Sequence, residues 1–364
     1  MILFSYKLPT SIKHIKIFFA SIFLQNVNKF INKSAYAIIS IKLVACEKFY
    51  VNIKFGRLVM NYIKEIKRLK KEKNAIILTH CYQPVEIDEV SDYVGDSFYL
   101  SKKAKETNAD IIVFAGVTFM AQTAKIISPK KKVLIPSLDC GCAMADMVSA
   151  KQLREFKSKY PNIPTVCYIN STAEVKAECD ICCTSSNAIK IVDSLKAKEI
   201  LFLPDTYLGK WVESQLGNVK VNTYTGFCPT HVQIRPKDVT EARAKYPEAL
   251  VLAHPECHQS VVEMADYVGS TTGIMKFAAQ SDKKQFIIAT EKGVVDRLKR
   301  DYPEKEFYLI KDSVICPNMK WHTLTDIYNA LDREEHEITV DKEIASKALN
   351  CIDRMLEVSA VGAK

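Results

Sequence analysis

Residues 1–59 almost lack acids: Glu47 stands alone against nine lysines and arginines running from Lys7 to Arg57. That stretch carries eight of the net nine positive charges, which leaves one for residues 60–364. A body so nearly neutral excludes the broad basic face that nucleic acid demands. Long apolar runs are missing as well. Those of the leader are cut by Lys16 and Lys42, short of the roughly 18 residues that span a bilayer. Neither nucleic acid nor membrane is expected as a partner. A convincing secretory signal is also wanting, and Cys182 sits awkwardly beside Cys183 for an extracellular disulfide framework. The twelve cysteines are therefore expected as free thiols in a reducing cytoplasm. The basic, Ile/Phe/Lys/Asn-rich leader has the texture of a targeting or membrane-surface segment. Met60 then opens an amphipathic stretch over Asn61–Glu72, so residues 1–59 are expected to lie outside the fold.

What is present is repetition. Ala75-Ile-Ile-Leu-Thr-His80, followed by Asp92-Tyr-Val-Gly95-Asp-Ser97, recurs 174 positions on as Ala249-Leu-Val-Leu-Ala-His254 and Asp266-Tyr-Val-Gly269-Ser-Thr271. A weaker copy between them holds Ile163-Pro-Thr-Val-Cys-Tyr168 and Asp180-Ile-Cys-Cys-Thr184-Ser185. His80, Tyr168 and His254 are thus equivalent, at steps of 88 and 86. Each copy continues with an apolar run (Asp110–Ala115, Glu199–Leu203, Gln285–Ala289), a helical pattern and a shorter run (Val133–Ile135, Val219–Asn222, Phe307–Ile310). Short apolar runs alternating with helical patterns predict parallel, right-handed sheets covered on both faces. The expected fold is α/β: three homologous three-layer domains around a pseudo-threefold axis, with the site at the centre. Residues 60–150, 151–236 and 237–332 would form the repeats, and 333–364 a C-terminal helical segment. Ligands of such sheets sit beyond the carboxyl ends of the strands, where the matched residues fall.

Each copy closes on a cysteine: Cys142, Cys228 and Cys316, again 86 and 88 apart. Each precedes a helical or proline-led segment, whose backbone N–H groups favour a thiolate. One equivalent cysteine per repeat is the pattern for a metal group held by three thiolates. Structural zinc and all-cysteine iron–sulfur clusters take four ligands, and only three positions match. A 4Fe–4S cluster so held keeps one iron open as a Lewis acid. Cys140-Gly-Cys142 and Cys179-Asp-Ile-Cys182 have metal-like spacings, but Cys182 and Cys183 align with Val94-Gly95, and Cys140 aligns with Val314 in the third copy. Cys46, Cys81, Cys140, Cys167, Cys179, Cys182, Cys183, Cys257 and Cys351 are read as structural.

The runs His80-Cys-Tyr-Gln83, Gly95-Asp-Ser97, Gly141-Cys-Ala-Met-Ala-Asp146, Tyr168-Ile-Asn170, Thr184-Ser-Ser-Asn-Ala188, His254-Pro-Glu-Cys257, Gly269-Ser-Thr271 and Cys316-Pro-Asn-Met-Lys320 resemble those of the quinolinate synthase family, in its order, over residues 60–364. Cys81 stands where that family often has asparagine. The resemblance implies condensation of iminoaspartate with dihydroxyacetone phosphate, loss of phosphate and two waters, and closure of a pyridine ring for NAD synthesis. It also implies a 4Fe–4S cluster on Cys142, Cys228 and Cys316. An aspartate-oxidising enzyme upstream follows from the instability of iminoaspartate.

Two dehydrations and a ring closure need proton shuttles, and a dicarboxylate with a phosphate needs many donors. Glu256 is the candidate general base, with Tyr82 and His254 as proton relays or oxyanion donors. His80, Tyr168 and Asn170 are the candidate carboxylate contacts. Ser97, Ser185 and Thr271 occupy equivalent turns into helices, where hydroxyls bind anions or simply cap the helix. His231, three residues after Cys228, is expected to face the cluster and substrate. Lys276 is more readily a solvated helix lysine than a phosphate contact. Two other readings share the three cysteines: a different open-iron dehydratase, and a non-enzymatic iron–sulfur sensor or zinc-stabilised interaction protein.

Overall fold

The structure, a computed structural model, describes residues 60–361; the leader expected at 1–59 lies outside them. The chain divides into Met1–Asn61 and Tyr62–Lys364, and the sheets belong to the second unit. Residues 60–72 are helical and lead into β1.

Three four-stranded sheets follow in chain order. The first holds β1 (Ala75–His80), β2 (Tyr93–Gly95), β3 (Ile111–Ala115) and β4 (Lys132–Leu134). The second holds β5 (Thr165–Tyr168), β6 (Ile181–Cys183), β7 (Glu199–Leu203) and β8 (Lys220–Thr223). The third holds β9 (Leu250–Ala253), β10 (Tyr267–Val268), β11 (Gln285–Ala289) and β12 (Glu306–Leu309). Their orders are the same, 2-1-3-4 within each repeat, and every strand pair is parallel. The strands read as apolar runs because helices cover both faces; Ile111–Ala115 is buried throughout. The expected α/β class with three parallel sheets is what the chain forms.

The repeated aspartate has a structural job. Asp92, Asp180 and Asp266 each accept, through Oδ2 at 2.7 Å, the backbone N–H of Ile77, Thr165 and Val251 respectively. Each returns its own N–H to the same residue's carbonyl. This double bond to the preceding strand fixes the entry of β2, β6 and β10. The motif survives in all three copies because each sheet needs that clamp.

Two ties between repeats have no counterpart in the repeat pattern. Residues 336–338 run antiparallel to β4: Ile135 N donates to His336 O at 3.1 Å and Ile338 N to Val133 O at 2.8 Å. Ile135, expected inside the short strand, instead pairs with this segment. The chain then forms the helix Lys342–Ala360, which covers β6. There Cys351 Sγ lies 3.2 Å from Cys182 Sγ, and Arg354 donates to Asp180 O at 2.6 Å. The second tie is Arg297, on the helix Lys292–Asp301 of the third repeat. Its guanidinium donates to Cys81 O and Gln83 O at 2.7 and 2.8 Å and to Asp88 Oδ1 at 2.5 Å. That grip holds the loop after β1, which carries Tyr82. Gly293 lets the two elements meet, since a Cβ there would stand 2.8 Å from Cys81 O and 2.9 Å from Tyr82 Cα.

Candidate active site

The carboxyl ends of β1, β5 and β9 and the three cysteine loops enclose one cavity of about 170 Å³. Cys142, Cys228 and Cys316 line it together with His80, Tyr82 and Ser97 from the first repeat. The second repeat adds Tyr168, Asn170 and Ser185, and the third adds His254, Glu256 and Thr271. Val117, Phe119, Met120, Met144 and Met319 form its apolar wall. Cys81 is buried and is not among the lining residues. Lys276 is exposed and outside the cavity.

The cysteine loops are built alike. Cys228 and Cys316 each cap a short helical turn with proline at its start, Pro229–Val232 and Pro317–Lys320. Cys142 precedes the turn Ala145–Met147, and its carbonyl accepts from Asp146 N at 3.1 Å. Backbone donors at these turns favour the thiolates, as expected, but burial outweighs them. The Cys142 thiol is pushed up to about 12 by burial, and Cys228 and Cys316 rise for the same reason. Negative charge on Cys316 also raises Cys142, and Cys142 and Cys316 together raise Cys228. Three half-buried thiolates converging on one space need a cation to neutralise them. A metal cluster fits this donor set. Asn318 joins the Cys316 loop to the Cys142 loop by donating to Gly141 O at 2.7 Å, and buried Glu291 holds the Cys316 loop through Cys316 N at 3.2 Å and Lys320 Nζ at 2.9 Å.

Glu256 is 3% exposed and has both oxygens engaged. Tyr168 Oη donates to Oε1 at 2.6 Å, and His231 Nδ1 lies 2.7 Å from Oε2. Burial by itself would raise the carboxyl; the two imidazoles beside it and the hydrogen bonds from His231 and Tyr168 prevail and hold it below the usual carboxylate range. The ionised form is thus what the site holds. His80 and His254 repeat one arrangement: Nδ1 accepts the N–H two residues on, from Tyr82 at 3.1 Å and Glu256 at 3.3 Å. That assigns the proton to Nε2 in both rings. Burial lowers each imidazole to about 3, so both are neutral donors. His254 Nε2 meets Ser185 Oγ at 3.2 Å.

Two placements differ from the sequence reading. His231 does not line the cavity; it lies one layer behind, stacked on His254 with ring centres 4.7 Å apart. Its Nδ1 is also 3.2 Å from Cys228 Sγ. Although Cys228, His231 and Glu256 cluster within 4.8 Å, one imidazole nitrogen spans the other two at hydrogen-bond distances, which describes a hydrogen-bonded set rather than a separate metal site. Capping is also excluded for two of the hydroxyls. Asp96 and Ser270 cap the helices Ser97–Glu106 and Thr271–Gln280, which leaves Ser97 and Thr271 at the first helical position with hydroxyls free of that duty. Asn170 Oδ1 is buried without a protein partner. Thr290, Glu291 and Asn318 were not legible as site residues, although Asn318 sits inside the matched Cys316-Pro-Asn run.

Comparison with known proteins agrees with this architecture. The family described as "Quinolinate synthetase A protein" matches residues 64–357. Quinolinate synthase of Alkaliphilus metalliredigens is 52% identical over 298 residues, covering 82% of this chain and 98% of that protein. The enzyme of Caldicellulosiruptor saccharolyticus is 49% identical over 81% of this chain and 98% of its own length. That of Aquifex aeolicus is 48% identical, with 81% and 94% covered.

Proposed function

Because the chain belongs to the quinolinate synthase family, we propose that it condenses iminoaspartate with dihydroxyacetone phosphate to form quinolinate, releasing phosphate and two waters. The observation that carries this reading is the convergence of one cysteine per repeat, an ionised glutamate, two tyrosines and two neutral histidines on a single cavity. Cys142, Cys228 and Cys316 would hold a 4Fe–4S cluster, which when bound supplies an iron free to act as a Lewis acid on a substrate oxygen.

The chain's own groups would then do the following. His80 Nε2–H and the Asn170 amide bind the carboxylates of iminoaspartate, and the unpartnered Asn170 Oδ1 accepts from its nitrogen. Ser97, Ser185 and Thr271, at or before helix starts, bind the phosphate of the triose through hydroxyl and backbone donors. Glu256 as found is saturated by Tyr168 and His231, and a base so stabilised is weak. A substrate carboxylate that draws Tyr168 Oη to itself frees Oε1 and raises its basicity, so that binding arms the base. His254 Nε2–H is the donor to oxygens that leave or gain charge, and Tyr82 relays protons. The apolar wall keeps water from intermediates that hydrolyse. An enzyme that oxidises aspartate would supply the unstable imine, and a reducing cytoplasm suits the free thiols.

The test is anaerobic, with iron-reconstituted protein supplied with aspartate, an aspartate oxidase and dihydroxyacetone phosphate. Quinolinate is expected from the parent, and Glu256→Gln should retain the cluster while turnover falls about 10²-fold or more. A parent that releases no quinolinate sinks the reading, and turnover within a few-fold in Glu256→Gln removes Glu256 as the base.

A further inference from the structure

Behind the cavity wall, Thr290 is fully buried at the end of β11. Its Oγ1 lies 3.0 Å from Tyr82 Oη and 2.8 Å from His231 Nε2. His231 Nδ1 in turn reaches Glu256 Oε2 at 2.7 Å, and Tyr168 Oη reaches Oε1 at 2.6 Å. Donor counting gives this chain one direction. Ionised Glu256 only accepts, so Nδ1 of His231 carries a proton, and in the neutral imidazole Nε2 accepts. Thr290 has one hydroxyl proton and must give it to Nε2. Its oxygen is then left to accept, and Tyr82 donates to it. The second hydroxyl near Tyr82, Thr271 at 3.0 Å, is left to donate to the phenol or turn toward a ligand.

The repeat pattern does not ask for this hydroxyl. The matched strand ends in the first and second repeats are Gly116 and Pro204, neither of which has a side-chain donor. Nor does Thr290 serve its own helix, whose cap is Glu291. A buried hydroxyl found in one repeat of three, bonded to two site residues and to no packing partner of its own strand, has a reason at the site.

We infer that Thr290 is a positioning residue for the reaction: it sets the direction of the Tyr82 hydroxyl and fixes the His231 tautomer that donates to Glu256. The inference rests on the functional reading above. Without the hydroxyl, His231 Nε2 loses its donor, and the ring is free to adopt the tautomer that turns a lone pair toward the Glu256 carboxylate. Tyr82 is left with Thr271 alone, in competition with the ligand. Both changes fall first on Tyr82 and His231, which move protons, and leave His80, Asn170 and the backbone donors to the ligand in place.

The experiment compares Thr290→Val, Thr290→Ala and Thr290→Ser as cluster-loaded proteins in the quinolinate assay, with melting temperature measured alongside. In Val and Ala, kcat is expected to fall about 10–100-fold, the range for loss of a partner that orients a site ligand, while KM for dihydroxyacetone phosphate stays within about threefold. Ser restores the hydroxyl and should bring kcat back to within about fivefold of the parent. Parent-like kcat in Val or Ala overturns the inference. So does a rise in KM without a fall in kcat, or failure of Val and Ala alike to fold, which would make Thr290 a packing residue. A parent that makes no quinolinate overturns the functional reading, and this inference with it.

Discussion

Replacing Arg297 with methionine removes a cation that is only 1% exposed and keeps most of its apolar stem. The structure sets the size of the loss. Nη1 gives up two carbonyls, Cys81 O at 2.7 Å and Gln83 O at 2.8 Å, and Nη2 gives up Asp88 Oδ1 at 2.5 Å. Asp88 is 11% exposed, so it stays largely buried with one oxygen abandoned. Arg300 still reaches its other oxygen at 2.6 Å, but its side chain is 46% exposed, and such a contact contributes less than about 1 kcal/mol. Removing one partner of a buried pair costs about 3–5 kcal/mol. Arg297 Nε has no partner in the native protein, which places the expected value toward the lower end. Urea unfolding followed by circular dichroism should therefore show a midpoint lower by about 1 M or more, for a slope of about 3 kcal/mol per molar. Turnover should fall too, because the same loop carries Tyr82. A loss below about 1 kcal/mol would refute the claim that this guanidinium organises the loop, and Arg297→Lys should recover part of the loss.

Other outcomes follow from the same geometry. Cys142→Ser, Cys228→Ser and Cys316→Ser should each abolish iron loading, whereas Cys140→Ser, whose thiol donates to Ser137 O at 2.8 Å, should keep it; full iron–sulfur absorbance in Cys228→Ser would reject the ligand set. Stability should fall as pH drops below about 6.5: His80 and His254, lowered to about 3 by burial, bind protons in the unfolded chain that they refuse in the folded one, at about 1.4 kcal/mol per pH unit each. Glu256, held below the usual carboxylate range, stabilises the fold above its unfolded value near 4.5 and loses that contribution only as pH falls below it, so it does not alter the higher window. A urea midpoint unchanged between about pH 7.5 and 5.5 would contradict the neutral-histidine assignment. Gly293→Ala forces a methyl against two backbone atoms of the Tyr82 loop and should cost about 1–3 kcal/mol with a matching fall in turnover; an unchanged melting temperature would show that the helix moves aside freely.

The three parallel sheets were legible because equivalent strand ends impose equivalent residues. Asp92, Asp180 and Asp266 clamp equivalent strands by the same bond, and apolar runs of fixed spacing mark what lies between helices. Twelve of the thirteen candidate site residues line one cavity, since each ends a strand or lies in the loop or turn that follows one, and parallel strands end on one edge. His231 lies against Cys228 but outside the cavity lining, because its distance from Cys228 in sequence says nothing of which layer its ring enters.

The sequence by itself determined the repeat, the α/β class and the single cysteine per copy, because periodicity and strand-end identity are properties of the chain in order. Tertiary structure alone decided how the polar groups are satisfied. Tyr168 meets Glu256 across 88 residues, His231 meets Thr290 across 59, and Tyr82 meets Thr290 across 208. No local pattern records such pairs. Their partners come from different repeats, and burial compels each group to find whichever donor or acceptor the packing brings within 3 Å or so. That is why an ionised carboxylate, two neutral imidazoles and the hydroxyl of Thr290 became visible as one connected set only in the folded chain.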